Sequence, residues 1–138
     1  KANSIASGRS VQIKRGKDVE IWAVGNFVSH ALEASEILKK DKISCSVVNV
    51  ASVKPLDEKK ILASGDKYPL ILTVEDGIIT GGIGESIRSL LADKDTHVIN
   101  LGWPDKFIEH GTQQQLYERY GLDAGSIADQ IRTNLKKA

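Results

Sequence analysis

Val19-Glu20-Ile21-Trp22-Ala23-Val24-Gly25 is an apolar run rich in β-formers, and from Asn26 onward the hydrophobic period changes. A near-continuous apolar strand of this length suits a position covered on both sheet faces, as in a parallel sheet. After it, Val28, Ala31, Leu32, Ser35 and Leu38 fall on one helical face, with Glu33, Glu36, Lys39 and Lys40 mostly opposite. One strand passing directly into one amphipathic helix is the unit from which the rest of the chain is read.

The unit recurs downstream. Asp41-Lys42 closes the helix, and Ile43–Val50 reads as a second apolar strand. Asp57 is a good N-cap for a short helix that ends near Gly65, with Glu58 complementing the dipole and Ile61 and Leu62 as its buried side. Leu70–Val74 is the next strand. It is followed by a loop, Glu75-Asp76-Gly77 to Thr80-Gly81-Gly82-Ile83-Gly84, that opens a helix with Ile83, Ile87, Leu90 and Leu91 inward. His97–Leu101 is the fourth strand of the series, broken by Gly102-Trp103-Pro104-Asp105. Thr112 and Gln115 form a capping-box pattern for a helix carrying Leu116, Tyr117 and Tyr120 and stopped by Gly121. Asp123 caps a last helix through Ile127, Ile131 and Leu135.

Upstream of the deciding stretch, Val11–Lys14 reads as a short strand, and residues 1–10, without periodicity, read as a linker or arm. Residues 11–138 then form one domain. Alternating strands and helices predict a three-layer α/β/α arrangement with a mainly parallel sheet. In such sheets the working edge is the carboxyl end of the strands. Here that edge gathers Asn26, Ser52 to Pro55, Glu75 to Gly84 and Gly102 to His110.

Composition narrows the function classes. With 138 residues, 27% charged and a net charge of +1, the chain has no field to gather nucleic acid or anionic lipid. No apolar run approaches the roughly 20 residues that cross a bilayer. The absence of an apolar signal stretch makes a cytoplasmic setting the expectation. Cys45, the single cysteine, reads as a small buried thiol. The chain starts at Lys1 and contains no methionine, which reads as a piece of something longer.

The strongest chemical candidates are Glu75 and Asp76 with the bare amides of Gly81, Gly82 and Gly84 beside a helix start, an arrangement able to hold an anion. A structural reading stands beside it: the glycines allow a close approach, and the carboxylates bond to loop amides or pair across an interface. Adjacent strand residues point to opposite sides, so Glu75 and Asp76 are not expected to share a site. His110 lies in the expected working loop and carries the side chain that titrates near neutral pH. Gly-x-Gly-x-x-Gly, P-loop and Gly-x-Ser-x-Gly patterns are missing, as is any metal-ligand spacing. No catalytic, cofactor-binding or metal residue is assigned from the sequence.

Asp18 to Asn26, Val28 to Ala34, Val48-Asn49-Val50, Lys54-Pro55-Leu56-Asp57, and Val74-Glu75-Asp76 with Gly81 to Gly84 together resemble the transketolase C-terminal domain. Gly102 to Gly111, Leu116-Tyr117 and Tyr120 to Ala124 resemble the ending found in the 1-deoxy-D-xylulose-5-phosphate synthase branch of that family. The resemblance implies a five-stranded mixed sheet in which Val11–Lys14 is the antiparallel edge. It also implies a structural or assembly role, with no catalysis by the isolated chain, in a transferase joining pyruvate to glyceraldehyde 3-phosphate with loss of carbon dioxide. Thiamine diphosphate and Mg2+ would then be held by a diphosphate-binding and a pyrimidine-binding domain outside this chain. Those domains, and a second copy of the intact enzyme, are the implied partners. The loops Glu75–Gly84 and Gly102–His110 would be the contact surfaces. Gly77 is a departure from the pattern of the resemblance, in which members often carry a larger polar residue there. Two alternatives stay open: a regulatory module binding a small anion at Gly81–Gly84, and a separate subunit of a split transketolase.

Overall fold

Val19–Ala23, with Val19, Ile21 and Trp22 as β-formers, forms strand β2, and all five of its residues are buried. A computed structural model describes residues 8–135 and places β2 near the middle of a five-stranded sheet, as its apolar sequence requires. Around it, in chain order, lie β1 (Val11–Lys14), α1 (Phe27–Lys39), β3 (Cys45–Asn49), α2 (Glu58–Lys67), β4 (Leu70–Ile78), α3 (Ile83–Leu90), β5 (His97–Trp103), α4 (Gln113–Arg119) and α5 (Ala124–Leu135). The sheet order is β1-β3-β2-β4-β5. β2 pairs parallel with β3 and β4, β4 pairs parallel with β5, and β1 closes one edge antiparallel to β3. The mainly parallel α/β fold expected from the alternating pattern is therefore present, with the antiparallel edge strand that the family resemblance implies.

The two sheet faces are covered by different helices. On one face Ile21, Ala23, Val47, Leu72 and Val74 pack with Phe27, Ala31, Ala34 and Leu38 of α1 and with Ile127, Ala128 and Ile131 of α5. On the other, Trp22, Val48, Ile71 and Val98 pack with Ile61 of α2 and Ile87 of α3. Each large aliphatic residue so buried contributes about 2 kcal/mol relative to exposure. Cys45 is 2% exposed at the start of β3. Burial pushes its thiol up to about 12, so it packs as a small hydrophobe and is a poor nucleophile.

Cap chemistry agrees with the sequence reading. Asp57 accepts the N–H of Lys60 at 3.3 Å. Thr112 and Gln115 close a capping box at α4, and Asp123 accepts the N–H of Ser126 at 3.2 Å.

Several boundaries differ from the expectation. β4 continues past Val74 to Ile78, because beyond an irregularity in the ladder Ile78 pairs with Trp103 and the Ile79 N–H reaches the Trp103 carbonyl at 2.9 Å. Glu75, Asp76 and Gly77 are thus strand residues rather than loop. β5 likewise runs through Gly102 to Trp103. α2 extends to Lys67, and its helical phase turns Ile61, Ser64 and Gly65 inward while leaving Leu62 exposed. Of the expected arm, residues 1–7 lie outside the described residues. Gly8 and Ser10 are bound to the domain: the Gly8 N–H donates to Ser52 Oγ at 3.3 Å and the Ser10 N–H to Asp57 Oδ2 at 2.9 Å.

Candidate functional site

The chain leaves β2 through α1 towards the β3 side of the sheet, and leaves β4 through α3 on the opposite face towards β5. Between the carboxyl ends of β2 and β4 the winding direction reverses, and in open α/β sheets such a point forms the ligand crevice. A crevice of about 270 Å³ is found there, lined by Val24, Gly25 and Asn26 after β2, Glu75, Asp76 and Gly77 of β4, and Ile83 of α3.

Glu75 is 6% exposed, and its carboxylate accepts the N–H of Ile83 at 3.0 Å and of Gly84 at 3.1 Å. These are amide groups at the start of α3, where the helix dipole favours negative charge. Two further loop amides are also engaged: Gly81 N–H donates to Glu85 Oε2 at 2.8 Å and Gly82 N–H to the Ile79 carbonyl at 3.1 Å. The chain supplies its own anions to the amides that the sequence offered to a ligand. The glycines serve close approach. A Cβ on Gly82 would fall 2.3 Å from Glu75 Oε1, and one on Gly84 would fall 2.6 Å from both Thr73 Oγ1 and Asn100 Cγ.

Asp76 points away from Glu75, is exposed, and accepts the indole N–H of Trp103 at 2.8 Å. Trp103 and Phe27 in turn pack on Tyr117, with ring centroids 5.8 and 5.3 Å away. Burial, and then Asp76, hold the Tyr117 phenol above its ordinary range. Glu75 and Asp76 therefore have separate partners, as their alternation along the strand requires. His110 is exposed on the segment after β5 and is not brought to the crevice.

Neighbouring Glu109 anchors that segment. It accepts the Tyr120 hydroxyl at 2.5 Å and pairs with the Arg119 guanidinium at the end of α4. The Tyr120 hydrogen bond, followed by that of Arg119, lowers the Glu109 carboxyl to about 2. A depressed folded-state value means that this stabilisation is fully present above the ordinary carboxylate range near 4.5 and is lost as pH falls towards 2. Lowering pH from 5 to 2 should release the 104–110 segment, seen as loss of the contact between Glu109 and Tyr120 in NMR spectra. Glu109→Gln should show the released state already at pH 7, and a segment equally ordered in that variant would disprove the anchor. Nothing in the spacing of Glu109, Arg119 and Tyr120 predicted their meeting, which depends on the turn after β5.

A second group escaped the sequence reading because it lies inside the deciding strand. Glu20, 2% exposed, accepts the Trp22 indole N–H at 2.8 Å, the Ser46 hydroxyl at 2.7 Å and the Ser64 hydroxyl. Gln12 extends this network from Ser46 (2.6 Å) to the Lys60 ammonium (2.9 Å). A lone acid in an otherwise apolar run was the available signal.

The residues at the crevice do not fit thiamine diphosphate and its metal. The amides able to cradle a diphosphate are held by Glu75 and Glu85, and the remaining crevice carboxylate, Asp76, is bound to an indole. Among the described residues no group of three His, Cys, Asp or Glu side chains is placed to hold a metal ion. None of the described helices is long and apolar enough to cross a membrane.

The family model for the transketolase C-terminal domain matches residues 8–127. Among curated proteins, the 1-deoxy-D-xylulose-5-phosphate synthase of Caldanaerobacter subterraneus subsp. tengcongensis is 45% identical over 136 residues, covering 97% of this chain and 22% of that protein. The synthase of Syntrophotalea carbinolica is 40% identical over 131 residues, covering 94% of this chain and 21% of that protein. This chain thus spans about a fifth of the length of the curated relatives it matches. A solved structure described as a split-gene transketolase, an inactive beta4 tetramer, superposes with a TM-score of 0.88 at 33% identity, covering 96% of this chain and 44% of that one. The transketolase of Campylobacter jejuni has the same fold at 20% identity, with a TM-score of 0.69 and coverage of 96% and 20%.

Proposed function

From the premise that the chain belongs to the transketolase C-terminal domain family, we propose that it is the assembly domain of a thiamine-diphosphate-dependent transferase of the 1-deoxy-D-xylulose-5-phosphate synthase type. The intact enzyme would join pyruvate to glyceraldehyde 3-phosphate and release carbon dioxide. The domain would contribute contacts to the pyrimidine-binding and diphosphate-binding domains and to a homodimer, without touching the cofactor. The observation that carries this reading is the crevice at the winding reversal, whose amides are satisfied by Glu75 and Glu85 rather than left for a ligand.

The contact surface is assigned to the carboxyl edge beside β5. Phe107 is 88% exposed there, and Ile78, at the end of the neighbouring β4, is 48% exposed. Exposed aromatic residues of this kind act as anchors in interfaces. In the test, the chain is mixed with the separately produced remainder of such a synthase, thiamine diphosphate, Mg2+ and both substrates. The chain alone should turn nothing over, and the mixture should associate and form product. Phe107→Asp should weaken that association more than about tenfold while leaving the melting temperature unchanged. Turnover by the chain alone would overturn the assembly role; undiminished association of the variant would overturn the assigned surface.

The likeness to a split-gene transketolase chain supports a second reading, in which this chain is part of a separately encoded subunit. The coding sequence upstream of Lys1 distinguishes the two. An in-frame pyrimidine-binding domain preceded by a diphosphate-binding domain favours the single-chain enzyme. A pyrimidine-binding domain whose reading frame opens with its own start codon favours the subunit.

A further inference from the structure

At the amino edge of the sheet, opposite the crevice, β1 ends at Lys14, α1 ends at Lys39, and β3 begins at Cys45. These three ends enclose a cleft of about 370 Å³ whose wall includes Lys14, Arg15, Lys39, Lys42 and the hydroxyls of Ser35 and Ser44. We propose that this cleft binds a small soluble phosphate ester or diphosphate, a site independent of the assembly role argued above.

The charge balance favours an anion. Four cations line the cleft. Among the described residues no carboxylate lines it; beside it Glu36 bonds Lys14 at 2.9 Å and lies 3.6 Å from Lys39, and Asp18 accepts the Ser44 N–H at 2.7 Å. Among the described residues neither Arg15 nor Lys42 makes an ion pair, and both are exposed, so their donors are available. Arg supplies a planar fork and Lys a point charge, the two donor types that phosphate oxygens accept best.

The carbonyl end of α1 is closed by the chain itself and favours the cations gathered beside it. The last carbonyls of α1 accept backbone donors: Ile37 from Lys40, Leu38 from Asp41 and Ile43, and Lys39 from Lys42. The Ser44 hydroxyl accepts the Lys17 N–H at 3.1 Å, which leaves its own proton to donate to a ligand. Lys42 has φ +60°, the left-handed region where glycine is cheaper. A lysine at this helix-closing position keeps a cation at the cleft where backbone preference alone would select glycine.

That conformation also provides a variant that will not unfold the domain. Lys42→Gly removes the charge and relieves the backbone, and Arg15→Gln alters an exposed side chain. Inorganic pyrophosphate titrated at low salt should give saturable binding, with NMR shifts concentrated at the amides of Arg15, Lys42, Ser44 and Cys45. The double variant should bind at least about tenfold more weakly with an unchanged or raised melting temperature, and ~0.5 M NaCl should weaken binding several-fold. In a parallel arm, vesicles containing phosphatidic acid should not cosediment the chain. Four outcomes would overturn the proposal: no saturation by ~10 mM pyrophosphate, shifts centred elsewhere, wild-type affinity in the double variant, or binding to vesicles without binding to pyrophosphate.

Discussion

Replacing Glu20 by alanine should lower stability by about 3–5 kcal/mol, a fall in melting temperature of more than about 10 °C for a domain of this size. The carboxylate is the common acceptor for Trp22, Ser46 and Ser64, and among the described residues no cation pairs with it. Removing it orphans the indole N–H, which has one proton and no other role, in a layer packed between β2, β3 and α2. The serine hydroxyls can turn, and Ser46 already accepts from Gln12, so part of the loss is recoverable. Glu20→Gln keeps one acceptor for Trp22 and should cost about 1–2 kcal/mol. Thermal unfolding of both variants checks the order: equal losses would show that one retained acceptor does not hold Trp22 and that the full carboxylate is required, and a neutral Glu20→Ala would refute the network.

Glu75→Ala should have the second large effect, about 2–4 kcal/mol, because it leaves the Ile83 and Gly84 amides without their acceptor at the start of α3. Its consequence goes beyond stability. With Glu75 gone, the crevice between β2 and β4 regains two free amides, which is the anion site that the bare glycine sequence suggested. Sulfate, which stabilises folded proteins generally, should therefore raise the melting temperature of Glu75→Ala more than that of the parent at equal ionic strength. Equal stabilisation of both by sulfate would mean that Glu75 does not fill an anion slot. Glu75→Gln retains one acceptor and should fall between them.

How far the fold was legible follows from the physics of each element. β2 and β3 are covered on both faces, so their composition alone marked them, and α1 was marked by its change of period. The ends of β4 and β5 were not legible, because Ile78 and Trp103 extend the ladder only by pairing with each other. Leu62 was misread because a short amphipathic pattern leaves the helical phase free until Ile61 meets the sheet. The reach of Glu109 to Tyr120 and the meeting of Lys14, Arg15 and Lys42 depend on chain reversals between elements, which local periodicity does not encode.

By itself the sequence determined the α/β class, the strand-helix order, the caps at Asp57 and Thr112, and the family resemblance. The class, the order and the caps depend on residues within a few positions of one another, where hydrophobic period and turn chemistry act locally; the resemblance rests on several such segments read in order. Only the tertiary structure decided whether the Gly81–Gly84 amides face a ligand or the protein. That answer turned on whether Glu75, eight and nine residues away in sequence, closes back onto Ile83 and Gly84. A buried hydrogen-bonding group takes the partner that folding brings to it, and here folding brought the chain's own carboxylate.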